Sequence, residues 1–458
     1  MQRFYSVYKG CFYIFEGLFK SGVKHGFDCF SFLIVCDFQT RIYCIDLIKS
    51  IRASAPLSLL FFLSNSTIGI YIYSIEKELI LQDNNNMLDF FASSISGTES
   101  VLCDELRELG FSSVRLNRSG IPFRGTWRDG WRACLESRIA QRIQVLMNRF
   151  QAYDQEALYK GIMAIDWTPF ITPRQTISVS AVCVASSLNH SGFVALKAKD
   201  AIVDQIRKHD KNQQRPSVSR TDPDVRIFIY LVNNKVTVYM DLSGDGLHRR
   251  GYRQQTGDAP LRETLAAALL RLSGWDRKTP FLDPMCGSGT IAIEAALWAS
   301  NFAPGLLRKR FGFERWANFD EEAAMIMREL RGELRGAVCS QIPSIQASDI
   351  DEDVLKIARI NARAAGVKLS FKQRSILDLQ GSSSRTVVVT NPPYDIRLGA
   401  DSKLRHGITS AVNRMHGWRV GILAGHADYK KFISASPREK FEIPNGTLEC
   451  QFLVYEVE

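Results

Sequence analysis

The sequence of 458 residues predicts an α/β protein, with a parallel-sheet domain in its C-terminal half and an α+β region before it. Three observations predict this. A strand, a glycine turn and a helix follow one another between Phe281 and Ala296. From Thr264 onwards short apolar runs alternate with helical patterns, as they do in a parallel sheet covered by helices. Upstream, Thr176–Ala185 alternates as a strand, and two more strands, Val225–Leu231 and Lys235–Leu242, are joined by Asn233-Asn234, a hairpin turn. Between them Phe193–His209 carries Ala195, Ala198, Ile202 and Ile206 at helical spacing, and Phe90–Ile95 and Thr98–Leu109 read as a strand and a helix.

Hydrophobic residues make up 45% and charged residues 23%, a balance that supports a sizeable core and excludes wholesale disorder. The net charge of +10 favours a polyanionic partner, because Lys and Arg on phosphate release counterions. The ten cysteines are scattered, without a Cys-x-x-Cys pair or a Cys/His cluster. Neither a metal site nor a disulfide framework is expected, and the pattern is that of reduced thiols in a cytoplasmic protein.

Residues 1–86 differ from the rest. They hold ten of the 27 Phe, six of the 14 Tyr and four of the ten Cys, in apolar lumps without sustained helical or strand period. The longest apolar stretch, Leu57 to Ile75, is broken by Ser64-Asn65-Ser66-Thr67 and falls short of the ~18–20 residues of a membrane span. No signal peptide is apparent, and no stable membrane association is expected. Asp83-Asn84-Asn85-Asn86 is a loop signal, and ordinary patterning begins at Met87. The expectation is that the native protein starts at Met87 and that residues 1–86 are an atypical extension contributing nothing to catalysis. Beyond it the expected divisions are 87–155, 156–245 and 246–458.

The most informative segment is Asp283-Pro284-Met285-Cys286-Gly287-Ser288-Gly289-Thr290, which follows a strand and opens a helix. Glycines let a backbone approach a ligand closely, and the helix N-terminus offers free N–H groups. The third glycine of a dinucleotide fingerprint is missing, as is a Gly-Lys-Ser/Thr P-loop, which argues against NAD and against ATP phosphates. Asp349 ends a later strand, where a carboxylate can accept from both hydroxyls of a ribose; Asp351 lies at an N-cap position instead. Asp378 is expected to end the next strand and to accept from an adenine amine. In open α/β sheets ligands bind outside the carboxyl ends of the strands, so the three acids should converge.

Asn391-Pro392-Pro393-Tyr394 follows the strand Thr386–Thr390. Two prolines stiffen a loop and leave carbonyls free to accept. An amide side chain with a proline carbonyl can hold both hydrogens of an aryl NH2 group and aim its lone pair at a sulfonium methyl, while Tyr394 stacks on the base. Orientation matters more than a strong base here, because such a methyl donor is already activated.

The glycine loop with Glu294, and the Asn391–Tyr394 tetrapeptide, resemble motifs of the THUMP-bearing RNA guanine-N2 methyltransferases. Leu247–Arg253 with Ala259–Leu265 is similar to their joining segment, and Lys199–Asp204 to a THUMP helix. Within that family the resemblance is strongest to enzymes of bacterial 23S ribosomal RNA in single-domain form, and it covers residues 87–458. It implies a ferredoxin-like subdomain and a THUMP domain gripping structured RNA, then a Rossmann-like class I methyltransferase domain using S-adenosyl-L-methionine. Asp283, Pro284, Cys286, Gly287, Ser288, Gly289, Thr290, Asp349 and Asp378 would hold that cofactor, and Asn391, Pro392, Pro393 and Tyr394 the target amine. Residues 301–343 read as an insertion, whose Arg308, Lys309, Arg310 and Arg315 either touch RNA or form a solvated basic face. Transfer RNA as the substrate, a DNA amino-methyltransferase, and an RNA-binding protein with an inactive catalytic fold are the rival readings; the region before the catalytic domain favours RNA, and the intact motifs favour activity.

Overall fold

The computed structural model describes residues 87–255, 261–381, 384–393, 400–425, 433, 436–446 and 448–458, and short strands before them. The first 85 residues are a unit of their own. Three antiparallel strand pairs are described in it, Phe4–Ser6 with Tyr13–Phe15, Ile34–Cys36 with Ile42–Cys44, and Ser58–Ser64 with Thr67–Tyr73, where no sustained strand period was expected. The expectation of a start at Met87 concerns this segment, most of which lies outside the described residues. Among the described residues no helix is long and apolar enough to cross a membrane.

The front half of the second unit contains β1 (Leu88–Ser93), α1 (Glu99–Glu108), β2 (Gly120–Gly125), α2 (Trp127–Glu136), β3 (Arg142–Gln151), α3 (Gln155–Met163), β4 (Thr176–Val184), α4 (Ser191–His209), β5 (Ser217–Val218), β6 (Val225–Val232) and β7 (Lys235–Asp241). Strand β1 begins two residues earlier than expected, because Phe90 and Ala92 alternate inward opposite Val145 and Ile143 of β3. Asn233 and Asn234, at φ 51° and 60°, make the left-handed turn that joins β6 to β7. All seven strands form one sheet in the order β5-β4-β6-β7-β3-β1-β2, since β7 pairs antiparallel with both β6 and β3. The helices start on caps written in the sequence: Thr126 and Asp129 form a reciprocal capping box at α2, and Asp154 caps α3.

The rear half contains α5 (Glu263–Leu272), β8 (Phe281–Asp283), α6 (Thr290–Ala299), α7 (Glu321–Gly336), β9 (Ile345–Asp349), α8 (Glu352–Ala364), β10 (Ser370–Gln373), β11 (Val387–Thr390), α9 (Ala400–Asn413), β12 (Arg419–Ala424), β13 (Glu439–Asn445) and β14 (Leu448–Glu456). Its sheet runs β10-β9-β8-β11-β12-β14-β13. The first five strands in that order are parallel, and β14 is antiparallel to both neighbours. Chain order reverses between β8 and β11, the topological switch point at which open α/β sheets bind ligands.

The insertion at 301–343 fastens the two halves together, and two of the four basic residues singled out in it, Arg308 and Arg315, are taken up by protein partners. Phe313 stacks on Trp131 of α2 at 5.4 Å between ring centres, and Trp316 lies 6.0 Å from Trp127 and 5.9 Å from Phe170. Ala323, Met327 and Leu330 of α7 join the same core. Arg308 is buried and donates to the carbonyls of Ser243, Asp245, Gly246 and Arg249. Arg315 pairs with Asp222 and Asp224. Only Lys309 and Arg310 keep the character expected of them, being exposed. Truncating Phe313 to alanine is expected to cost about 3–5 kcal/mol, the range for a buried aromatic, in chemical denaturation followed by tryptophan fluorescence. A loss below about 1 kcal/mol would show that the clasp contributes little.

Candidate active site

The switch point brings together most of the residues singled out in the sequence. Strand β8 ends on Asp283, 1% exposed, and its neighbour β11 ends on Thr390, whose hydroxyl donates to Asp283 Oδ1 at 3.3 Å. The second carboxylate oxygen, Oδ2, is buried without a partner among the described residues. Burial, with smaller help from the nearby Asp349 charge, pushes the Asp283 carboxyl up to about 8. On the other side of β8, β9 ends on Asp349, whose Oδ2 accepts from the amide of Gly287 at 3.0 Å and Oδ1 from Asp351 at 3.1 Å. Asp351 caps α8, accepting from Asp353 and Val354, as the sequence predicts.

The glycine loop turns twice through the left-handed region. Gly287 has φ +50°, and a Cβ there would meet nothing within 4 Å, so this position faces open space. Gly289, at φ +84°, starts α6 and has Ala358 3.1 Å from where its Cβ would stand, which requires glycine for packing as well as for conformation. Pro284 is buried. Cys286 is 6% exposed, and burial keeps its thiol well above the ordinary range, hence neutral. The Thr290 hydroxyl, at the start of α6, accepts from Arg253 at 3.1 Å, and the same guanidinium lies 3.5 Å from Ser288 Oγ.

Asn391 follows β11 directly, next to the buried Pro392 and the exposed Pro393. Tyr394 lies outside the described residues. Asp378 departs from expectation: β10 stops at Gln373, and Asp378 is the exposed last residue of a single 3-10 turn, Ile376–Asp378, capped by Ser375. The short Ser375 side chain accepts from Leu377 and ends the extended run before Asp378 is reached.

Sequence reasoning missed the residues that brace this site. Asn361 on α8 is 1% exposed; its amide donates to the carbonyl of Ser288 at 3.1 Å and its oxygen accepts from Gln254 at 3.0 Å, tying the glycine loop to the joining segment. Arg250, also 1% exposed, lies 3.5 Å from Glu294 and donates to the carbonyls of Arg138 and Leu247. Tyr252 donates to the same Glu294 at 3.2 Å. The available signal was the density of arginine at 249, 250 and 253, immediately before an apolar helix that offers no counter-ions except Glu263.

Comparison with known proteins agrees with this architecture. Three family descriptions match the chain: the RlmL ferredoxin-like domain at residues 89–144, the THUMP domain at 152–241, and the RMKL-like, methyltransferase domain at 250–453. A curated relative, the ribosomal RNA large subunit methyltransferase K/L of Syntrophotalea carbinolica, is 38% identical over 384 residues, covering 81% of this chain and 54% of its own. The chain thus spans about half the length of the curated relatives it matches. Among solved structures, SMU.472, complexed with SAH, superposes at a TM-score of 0.72 with 28% identity over 81% of this chain and 98% of that one. A possible methylase from Clostridium difficile 630 superposes at 0.74 with 29% identity, covering 81% and 99%. In chain order the protein thus matches an RlmL-type ferredoxin-like domain, a THUMP domain and an RMKL-like methyltransferase domain, the last of class I fold.

Proposed function

We propose that the protein transfers a methyl group from S-adenosyl-L-methionine to the exocyclic N2 amine of a guanine in large-subunit ribosomal RNA. One observation carries this reading: Asp283, the Gly287–Gly289 turn, Asp349 and Asn391 meet at the carboxyl ends of β8, β9 and β11, at the switch point. The residues fit the cofactor. Gly287 faces open space, and the unpartnered Asp283 Oδ2 calls for a hydrogen-bond donor or a positive charge. Asp349 has acceptor capacity left for ribose hydroxyls beside its two backbone amides, and Asp378, in the next loop, can accept from an adenine amine. When bound, the cofactor supplies an activated methyl group on a sulfonium.

The protein's own part is positioning. The Asn391 side-chain oxygen and the Pro392 carbonyl accept the two hydrogens of the target amine, which fixes the lone pair toward the methyl. Pro393 and Pro392 stiffen that loop, and Tyr394 stacks on the base. The glycine loop is held in register from behind by Asn361 and Arg253. Ribosomal RNA is favoured by the relatives' activity and by the THUMP domain, and the same front module disfavours a DNA substrate. Cells with and without the gene, compared by mapping N2-methylguanosine in ribosomal and transfer RNA, test the reading: loss of one ribosomal mark supports it, and loss confined to transfer RNA overturns it.

Asp349→Ala is expected to weaken cofactor binding by roughly 1.5–3 kcal/mol, the scale for a charged hydrogen-bonding partner. Unchanged affinity in calorimetry would remove Asp349 from the site.

A further inference from the structure

We propose that the face of the front sheet, β5-β4-β6-β7-β3-β1-β2, that the described residues leave uncovered is a stacking platform for an unpaired stretch of RNA, with Phe228 and Tyr230 as the rings that take the bases. The inference rests on RNA being the substrate. It starts from alternation. In β6, Val225, Ile227, Ile229 and Leu231 are buried and face the core built with α3 and α4. Arg226, Phe228, Tyr230 and Val232 therefore point the other way. Opposite them on β4, Val182 and Val184 pair with Tyr230 and Val232 and are 39% and 51% exposed. On β7, Tyr239 stands opposite Phe228.

The rings on this face touch in a row. Phe228 and Tyr230 are 4.6 Å apart, Tyr230 meets Tyr239 edge-on at 6.4 Å, and Tyr239 is 5.8 Å from Phe91 of β1. None of these rings joins any of the hydrophobic core clusters. Tyr239 is well covered by its neighbours, whereas Phe228, Tyr230 and Phe91 are half-buried and keep part of each ring open. An apolar patch of this kind marks an interaction surface.

Charge selects the occupant. Arg149 of β3 lies beside Tyr239, close enough for its charge to act on the hydroxyl, and Lys235 stands exposed on the same face. Neither has an ion pair among the described residues. Arg124 and Arg226 add two more cations, accompanied by Asp89 and Asp245. Rings bordered by cations suit a strand that presents bases and phosphates side by side, and stacking tolerates any sequence because every base has a π-face. A purely apolar partner surface would leave those cations unmatched.

The test uses the full chain and a labelled, unstructured RNA oligonucleotide. The double variant Phe228→Leu/Tyr230→Leu keeps the apolar volume and removes the π-faces. It should bind RNA at least tenfold more weakly, with cofactor affinity and melting temperature unchanged, while Phe228→Tyr/Tyr230→Phe should bind like wild type. Arg149→Ala should lower the slope of log affinity against log salt by about one. Wild-type RNA binding by the double leucine variant, in an enzyme that still methylates RNA, overturns the platform and leaves the substrate reading standing. A full chain that binds no RNA overturns both. A dimer that dissociates in the leucine variant assigns the face to a second copy of this chain and overturns the platform as well.

Discussion

Turnover of Asn391→Ala is expected to fall by about a hundredfold at saturating RNA and cofactor, the scale set by misplacing a reacting group by about an ångström. The residue leaves β11 at the switch point, between the buried Thr390 and the buried Pro392, so its backbone is fixed by its neighbours. Alanine removes the amide while leaving that backbone, and the target amine loses the acceptor that orients it. Cofactor affinity should remain within about twofold, because the residues proposed to hold the cofactor sit on β8, β9 and the glycine loop rather than at Asn391. Single-turnover kinetics and calorimetry separate the two quantities. Lost cofactor affinity with normal turnover at saturation would reverse the assignment.

Asp283→Asn should raise the stability of the cofactor-free protein at pH 8 while lowering its affinity for the cofactor at least tenfold. The folded carboxyl titrates near 8, well above its ordinary value. A raised carboxyl gives stability that is complete below about pH 4 and is lost as pH rises through about 8, because the folded state must then hold a desolvated charge that the unfolded chain solvates freely. Asparagine has the same shape and no charge to desolvate. Its melting temperature should therefore exceed that of wild type at pH 8, and the two should converge near pH 4. Binding moves the opposite way, since a cationic cofactor is attracted to the ionised form. A variant that melts below wild type at both pH values would show that Asp283 is held by interactions other than those described. A gain in stability with a loss of affinity is the trade-off of a site kept strained for its ligand.

Much of this was legible in the sequence because it rests on local rules. Period-two alternation gave the strands around Asn233-Asn234, Asp351 was readable as a cap, and the glycine pair was readable as a close-approach turn. Asp283 could be placed at a strand end because a short apolar run precedes it, and Asp349 because Ile345 and Ala347 alternate before it and a helix cap follows at Asp351. Asp378 was misplaced because β10 carries Ser, Lys and Gln at an edge, where little hydrophobic pattern marks its end. The bracing by Asn361 and Arg250 joins residues 107 and 112 positions apart, and no local pattern encodes such a separation. Arg308 and Arg315 looked like a basic patch because sequence shows their charge, whereas the carbonyls and carboxylates that absorb it come from residues 222–249.

The clasp of Phe313 and Trp316 also sets a timetable for synthesis. The slot they fill is lined by Trp127, Trp131 and Phe170, all made well before residue 313. At ~5–20 residues per second, the front module waits on the order of ten seconds with its indole rings uncovered. During that interval the nascent chain presents an aromatic cleft to the cell, and the front module acquires its finished core only when the insertion arrives. A chain stalled before residue 311 should bind chaperones through this cleft, and one stalled after α7 should no longer bind them there.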